Sequence, residues 1–380
     1  MSQPRLRTAT DADLAALLKL ELRCFPGDRL SRRSFKRFIK AGPHELAIIE
    51  EAGQIMGYSL LLYRTGTSLA RLYSIATNPD YRGRGLATQL LHDAHQRAQQ
   101  AGCVFLRLEV REDNNAAIAL YRREGYLCFD TVEHYYEDGC SALRFEKRLH
   151  TAATLSSEQA PRYYAQTTDF TCGPAALMMA MHSIDPAAVI DRQEEMRLWR
   201  EATTIYMTSG HGGCSPHGLA LAALRRGFGA KLFISSAETP FIDSVRSQEK
   251  RSVIELVHQD FVSQLGQFGT PVEVNPLGPK QFKEILEQES HLIALISTWA
   301  LNRNRAPHWV YISRSDANFV YVNDPDTDDD LGHTAADCRH VPVNIDAFIS
   351  MASFGRRRLR CLLAIHPRTT TGGHPSTDED

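Results

Sequence analysis

Two stretches of this chain combine residue types and spacings that could do chemistry. In Gln166-Thr-Thr-Asp-Phe-Thr-Cys-Gly-Pro-Ala-Ala-Leu177, Cys172 stands at the head of a run that reads as a helix over Pro174–His182. A thiol there feels the positive end of the helix dipole, which favours the thiolate nucleophile. Pro174 suits a first helical turn, where a missing N–H costs nothing. Gln166 lies six residues upstream, and its side-chain amide could donate to an oxyanion. Far downstream, Ala306-Pro-His-Trp-Val-Tyr-Ile312 puts His308 at the head of a strand, and Phe319-Val-Tyr-Val-Asn-Asp-Pro325 ends the next strand in Asp324. Adjacent antiparallel strands would bring Asp324 to His308 and His308 to Cys172, giving a nucleophile, a base and an orienting group. Singly, each residue also reads as ordinary structure: a small core cysteine, a satisfied histidine, an Asn-Asp-Pro turn.

The second stretch runs from Ala70 to Thr88. Leu72, Tyr73, Ile75 and Ala76 supply strand-forming bulk, and Asn78-Pro79 ends the strand because proline cannot donate to a ladder. Arg82-Gly-Arg-Gly-Leu-Ala-Thr88 then leads into an amphipathic helix from Leu86 to about Gln100. Gly83 and Gly85 let the backbone approach a ligand, the helix start offers unpaired N–H groups to an anion, and Arg82 and Arg84 add charge. This is a pyrophosphate cradle. It lacks the Gly-Lys-Ser/Thr of a Walker loop and the third glycine of a Rossmann fingerprint.

The elements that must position these residues follow in order. Arg5–Thr8 reads as a short strand. Leu14–Leu22 reads as a helix capped by Asp11 or Asp13, with Leu14, Leu17, Leu18 and Leu22 at helical spacing. A helix near Ser31–Ile39, paired strands at Leu46–Glu50 and Ile55–Tyr63, and the cradle come next. A buried strand, Val104–Val110, precedes a helix at Asn115–Glu124 and strands near Leu127–Tyr135 and Ala142–Lys147.

The order of elements, with Arg-Gly-Arg-Gly-Leu-Ala, Leu-Glu-Val-Arg and Asn-Asn-Ala-Ala-Ile-Ala-Leu-Tyr-Arg-Arg-Glu-Gly-Tyr, resembles the GNAT acetyltransferase superfamily, nearest to its ribosomal-protein-alanine N-acetyltransferase branch. The resemblance implies acetyl-CoA as acetyl donor. It places backbone groups of Ile75, Ala76 and Thr77 on the pantetheine and thioester, Gly83, Gly85, Leu86, Ala87 and Thr88 with both arginines on the pyrophosphate, and Asn114 on the cofactor. An amine must lose a proton to attack and the thiolate must regain one. By resemblance Glu109 is the general base and Tyr121 the general acid. The competing structural reading pairs Glu109 with an arginine and leaves Tyr121 in the core. Tyr135-Tyr136 is similar to an aromatic pair near the peptide slot of that branch.

Gln166, Cys172, His308 and Asp324, in that order, resemble the papain-fold cysteine peptidases that process double-glycine leader peptides, in a freestanding form without the exporter. The resemblance implies Cys172 as nucleophile, His308 as base, Asp324 as orienter and Gln166 as oxyanion donor. Residues 237–278 have no counterpart in it. The expected fold class is thus α/β and α+β. A GNAT domain with a mixed, splayed sheet covers 1–149, followed by a linker at 150–161, a cysteine peptidase-like domain at 162–366 and a disordered tail at 367–380. The acceptor would be a peptide or protein N-terminus, and cleavage would create a new α-amine of the kind the first domain could acetylate. Two alternatives stay open for the second domain: a non-catalytic peptide-binding module, and an amidase or transglutaminase-like acyl transferase.

Composition narrows the partners. The 380 residues, 43% hydrophobic and 23% charged, suit an ordinary globular protein of two or three domains. A formal net charge of −2 gives no reason to expect nucleic acid. Eight scattered cysteines, the lack of a signal-like start and the lack of a long apolar run point to a cytoplasmic protein away from membranes. His211-Gly-Gly-Cys-Ser-Pro-His217 is read as a helix start with Cys214 at the cap rather than as a zinc site, and Asp324–Asp330 as a solvated acidic turn rather than a calcium loop. No metal is expected. The basic run Arg356–Arg360 is read as a solvated edge.

Overall fold

The structure, a computed structural model, describes residues 4–149, 161–203, 212–245, 247–298, 306–327 and 335–367. The expected linker, apart from Pro161, and the expected tail past Pro367 lie outside the described residues, as do His211 and Asp328–Asp330. The chain divides into two compact units, Met1–Glu158 and Gln159–Asp380.

In the first unit, β1 (Arg5–Thr8), β2 (His44–Glu51), β3 (Gln54–Tyr63), β4 (Leu69–Thr77), β5 (Phe105–Arg111), β6 (Leu127–Val132) and β7 (Ala142–Arg148) form one sheet in the order β1-β2-β3-β4-β5-β7-β6. The centres of β2 and β3 are buried on both faces because helices cover both. On one face, α1 (Leu14–Cys24) and α2 (Arg32–Ile39) bury Leu17, Leu20 and Phe35 against Ile48, Tyr58, Leu60 and Ala76. On the other, α3 (Leu86–Gln100) and α4 (Asn115–Arg123) bury Leu91, Ala94, Ile118 and Tyr121 against Leu72, Leu106 and Leu108. Each such fully buried large side chain contributes about 1.5–3 kcal/mol.

The expected apolar stripe of α1 needs a correction. Leu14, Leu17 and Leu20 are buried, whereas Leu22 is 64% exposed and Glu21 is turned inward. Glu21 is tolerated there because Tyr58 and the Leu30 N–H hydrogen-bond it. The strand expected to reach Tyr135 ends at Val132, since the chain turns at His134, which has a φ of 53°.

Among the described residues of the first unit, only β4 and β5 pair in parallel, over Leu69↔Phe105, Ala70↔Leu106 and Arg71↔Arg107. Past Arg71, β4 continues to Thr77 against β3, while β5 follows β7. The β3–β4 register also shifts, from Leu61↔Leu72 to Leu60↔Ser74, with Tyr73 as the extra residue. Such a bulge bends the strand that carries it.

In the second unit, β8 (Gly229–Ile234), β9 (Val272–Val274), β10 (Leu292–Ser297), β11 (Pro307–Ser315), β12 (Phe319–Asn323), β13 (Val341–Asn344) and β14 (Cys361–His366) form a sheet in the order β13-β12-β11-β10-β14-β8-β9. Against it lies α5 (Cys172–Ile184), buried from Cys172 through Met181, as expected for a helix that is apolar all round. It is flanked by α6 (Arg192–Ala202) and α7 (Pro216–Arg225). The helix starts at Cys172 rather than Pro174, because Thr171 is its N-cap and its carbonyl already accepts from the Ala175 N–H. Ser215 caps α7, so Cys214 sits one residue before the cap and pairs with Thr203 instead. The segment without a counterpart holds a 20-residue helix, α8 (Gln248–Gln267), and the edge strand β9. Among the described residues, no helix is long and apolar enough to cross a membrane, and no group of three or more His, Cys, Asp or Glu side chains is arranged to hold a metal ion.

Candidate active sites

In the first unit, the cradle forms where β4 gives way to α3. Gly83 and Gly85 have φ values of 77° and 71°, in the left-handed region that only glycine enters freely, and Gly85 is the N-cap of α3. The first intrahelical bond runs from the Gln89 N–H to the Gly85 carbonyl. The N–H groups of Leu86, Ala87 and Thr88 therefore lie in the unpaired first turn. Arg82 is exposed, whereas Arg84 is committed to Glu51 at 2.9 Å and lies over the Tyr81 ring. Ile75, Ala76 and Thr77 lie on the stretch of β4 beyond its pairing with β5, so their backbone borders the splay. Asn114 caps α4 by accepting from the Ala117 N–H at 3.2 Å, which leaves its amide N–H groups for other work.

Glu109 on β5 is buried and bound. Its Oε2 accepts from Arg71 Nε at 2.9 Å, and Arg71 also donates to the Tyr135 hydroxyl at 3.1 Å. Arg144, directly across on β7, brings its Nε to 3.7 Å from Glu109 Oε1, too far for a hydrogen bond. Both atoms are buried without a partner. The arginine pairing of the structural reading is thus present, yet one carboxylate oxygen remains uncommitted. Tyr121 is buried against Tyr126 and Phe145, and burial pushes its phenol above the ordinary value, keeping it protonated. Tyr135 and Tyr136 meet edge-to-face at 5.0 Å in the β6–β7 connection, and Asp28 of the α1–α2 connection acts electrostatically on Tyr136.

In the second unit, His308 Nε2 lies 2.7 Å from Asp324 Oδ1, with both side chains buried. The Asp326 N–H also donates to that oxygen at 3.1 Å, and the Tyr163 hydroxyl holds the Asp324 carbonyl at 2.8 Å. Cys172, at the start of α5, acts electrostatically on His308. With Nε2 engaged by Asp324, Nδ1 is the ring nitrogen left for the thiol. Burial pushes the His308 pKa down, but the charge and hydrogen bond of Asp324, aided by Cys172, outweigh it and raise the imidazole well above its ordinary value. That arrangement stabilises an imidazolium at the head of α5. Gln166 is fixed by its backbone N–H to the Pro325 carbonyl at 2.8 Å, and its amide donates to Asp326 Oδ1 at 3.3 Å. One amide N–H is therefore spent within the site, and its second remains available to an oxyanion.

Sequence reasoning missed a residue behind this site. Glu195 on α6 is fully buried and accepts from the Thr167 N–H at 2.8 Å, the Thr167 hydroxyl at 2.7 Å, the Thr171 hydroxyl at 2.5 Å and the Tyr164 hydroxyl at 2.9 Å. It pins the loop that carries Gln166 into Cys172. Its only sequence signal is a place in the first turn of α6, which resembles an ordinary exposed helix-start carboxylate. Gly173 is the second omission. A Cβ there would sit 3.2 Å from atoms of Cys214, Leu219 and Trp309, so glycine lets these pack closely beside the nucleophile position.

A sheet that splays beside a glycine-rich helix start defines a GNAT-type acetyltransferase. A buried helix presenting a cysteine to a histidine–aspartate pair on an antiparallel sheet defines a papain-like unit. Residues 14–126 match the Acetyltransferase (GNAT) family and residues 161–366 match the Peptidase_C39 like family. The chain belongs to the Peptidase_C39 like family through its second unit and to the GNAT acetyltransferases through its first, which makes it an N-acetyltransferase. It is 34% identical over 131 residues to the N-alpha-acetyltransferase RimI of Mycobacterium tuberculosis, covering 33% of this chain and 80% of that protein. An acetyltransferase of Yersinia pestis is 33% identical over 97 residues, covering 26% of this chain and 67% of that protein. Among solved structures, the ribosomal-protein-S18-alanine N-acetyltransferase of Escherichia coli is 25% identical with a TM-score of 0.37, covering 40% of this chain and 97% of that one.

Proposed function

We propose that the first unit acetylates a peptide or protein α-amine from acetyl-CoA, and that the second is a Cys-His-Asp cysteine peptidase. The thioester supplies an activated acetyl group. The residues of this chain hold and neutralise it: N–H groups of the Gly83–Thr88 loop and Arg82 meet the pyrophosphate, and Ile75–Thr77 offer backbone groups along the splay. The observation that carries the transferase roles is the divided state of Glu109. Arg71 fixes Oε2, so Oε1, which accepts no hydrogen bond and faces Arg144 at 3.7 Å, is oriented to take a proton from the acceptor nitrogen. Tyr121, kept protonated by burial, returns a proton to the leaving thiolate.

In the second unit the carrying observation is His308 held by Asp324 and facing Cys172. Cys172 attacks an amide carbonyl, Gln166 donates to the oxyanion, His308 protonates the leaving amine, and water activated by His308 then hydrolyses the acyl-thioester to free Cys172. The test is to incubate the chain with acetyl-CoA and a peptide library, reading thiol release and product masses together. The reading expects acetyl on α-amines and Cys172-dependent cleavage. Acetyl on lysine side chains alone would remove the α-amine acceptor, and binding without cleavage would make the second unit a peptide-binding module.

A further inference from the structure

The mechanism above leaves unused a second buried carboxylate, on the α1–α2 side of the first unit's sheet. Forming the amide removes two protons from the acceptor nitrogen, one when the ammonium becomes an amine and one after the N–C bond forms and the C–S bond breaks. One of them must restore the proton that Tyr121 gives to the thiolate, so the net yield is one proton per turnover. With Glu109 Oε1 taking the proton lost as the N–C bond forms, the proton lost by the ammonium is left for a second acceptor.

Glu21 on α1 is 2% exposed, and its Oε2 accepts from the Tyr58 hydroxyl at 2.5 Å. The Tyr58 oxygen in turn lies 2.8 Å from Ser74 Oγ. Because the Tyr58 proton points at Glu21, Ser74 must donate to Tyr58, and its remaining lone pairs face away from the chain of bonds. Among the described residues, Tyr58 is the one hydrogen-bond partner of the Ser74 hydroxyl. The direction of every bond therefore runs from Ser74 inward to the carboxylate.

Ser74 also stands in the right place. It follows the bulged Tyr73, whose ring lies 5.4 Å from the Arg71 guanidinium that fixes Glu109. It precedes Ile75, the first backbone position along the splay. Ala76, two residues on, packs with Tyr58 and the α1–α2 side of the sheet, which puts Ser74 on that same face. We propose that Ser74, Tyr58 and Glu21 form a hydroxyl relay that carries one of the two protons lost by the acceptor nitrogen to the Glu21 carboxylate.

In this transfer Ser74 takes the proton from nitrogen as its own passes to Tyr58, and the Tyr58 proton passes to Glu21. No co-reactant is needed. Ser74 is the residue that touches the acceptor, and Glu21 acts through it. Burial raises the Glu21 carboxyl above its ordinary range, which makes it a better proton acceptor than a surface carboxylate, against the opposing bonds from Tyr58 and Leu30 N–H and the charge of Arg29. The titratable and charged groups facing it are Tyr58 from β3, Arg29 from the α1–α2 connection and Cys24 on its own helix.

The inference rests on the acetyltransferase reading, and its test separates the two. Thiol release by the full chain is followed across about pH 5 to 9 with acetyl-CoA and an amine-terminated peptide, for Ser74→Ala, Ser74→Thr, Tyr58→Phe and Glu21→Gln. The relay expects Ser74→Ala and Tyr58→Phe to lower kcat by about 10²-fold, with KM for acetyl-CoA unchanged and the acid limb of the profile displaced. Ser74→Thr, which keeps the hydroxyl, restores both. Ser74 is partly exposed, so its alanine variant carries the test even where Glu21→Gln folds poorly. Ser74→Ala with the unmodified kcat and acid limb overturns the relay while leaving the transferase intact. No thiol release from the unmodified chain with any amine overturns the transferase reading itself, and the relay with it.

Discussion

His308 Nε2 and Asp324 Oδ1 stand 2.7 Å apart across the β11–β12 pair, and that contact decides the electrostatics of the second unit. Without the carboxylate, burial alone would push the imidazole down. Asp324→Ala is therefore expected to slow Cys172 alkylation at neutral pH, because His308 loses the partner that keeps it cationic. Amide cleavage should fall by about 10²- to 10⁴-fold. Iodoacetamide labelling read by mass at Cys172 checks the first, and peptide cleavage checks the second.

Cys172→Ala tests the nucleophile directly. Selective labelling at this position and all amide cleavage should vanish, while peptide binding by the second unit persists. Unchanged cleavage would transfer the reaction elsewhere and leave the second unit as a module that presents peptide.

Glu195 collects hydrogen bonds from Tyr164, Thr167 and Thr171, so its removal strands several buried donors at once. Glu195→Ala should destabilise the second unit by about 3 kcal/mol in denaturant unfolding. Glu195→Gln keeps one acceptor oxygen and should fall in between, with slower Cys172 labelling as the adjoining loop loosens.

Gly85 sits at a φ of 71°, a backbone state that costs an L-residue roughly 1–2 kcal/mol. Open space surrounds its missing Cβ, so Gly85→Ala pays only for conformation. The expected outcome is a modest fall in unfolding stability and a several-fold rise in KM for acetyl-CoA, with kcat little changed. Steady-state thiol release over an acetyl-CoA series measures it.

Acid should weaken both units through buried neutral histidines. Burial lowers His95, beside the Tyr126 hydroxyl, to about 4, and lowers His217, beside His258, to about 3. The unfolded chain binds these protons near the ordinary imidazole value of about 6.5, before the folded chain does. Stability is therefore full above that value and declines as pH falls toward the depressed folded values. Unfolding midpoints across about pH 7 to 4 should fall, and His95→Gln should flatten the slope for the first unit alone.

Much of the local architecture was legible because it depends on neighbours in the chain. Asn78-Pro79 must end a strand, Gly83 and Gly85 must turn the backbone, and the apolar period from Leu86 fixes α3 to its observed end at Gln100. The start of α5 could be located within two residues from the all-apolar run after Cys172, and the strand of His308 from its β-branched and aromatic content, whereas the strand expected to end in Asp324 stops one residue earlier, at Asn323. Leu22 misled for the same reason. Helical period locates a stripe to within one position, and the partners that turn Glu21 inward, Tyr58 and Leu30 N–H, come from elsewhere in the chain.

What only the tertiary structure decided is which polar groups meet. Arg71 and Arg144 reach Glu109 because β4, β5 and β7 are neighbours, an adjacency set by sheet order rather than by chain order. Gln166 meets Asp326 because the loop before α5 lies against the chain beyond β12, more than a hundred residues away, as their 160-residue separation records. The bulge at Tyr73 that bends β4 is a property of the β3–β4 register. Sequence alone thus specified the residue types, the turns and the helix starts, whose energies are local. The orientation of Glu109, the direction of the bonds from Ser74 to Glu21 and the burial of Glu195 come from contacts between distant segments, and these exist only once the sheets have formed.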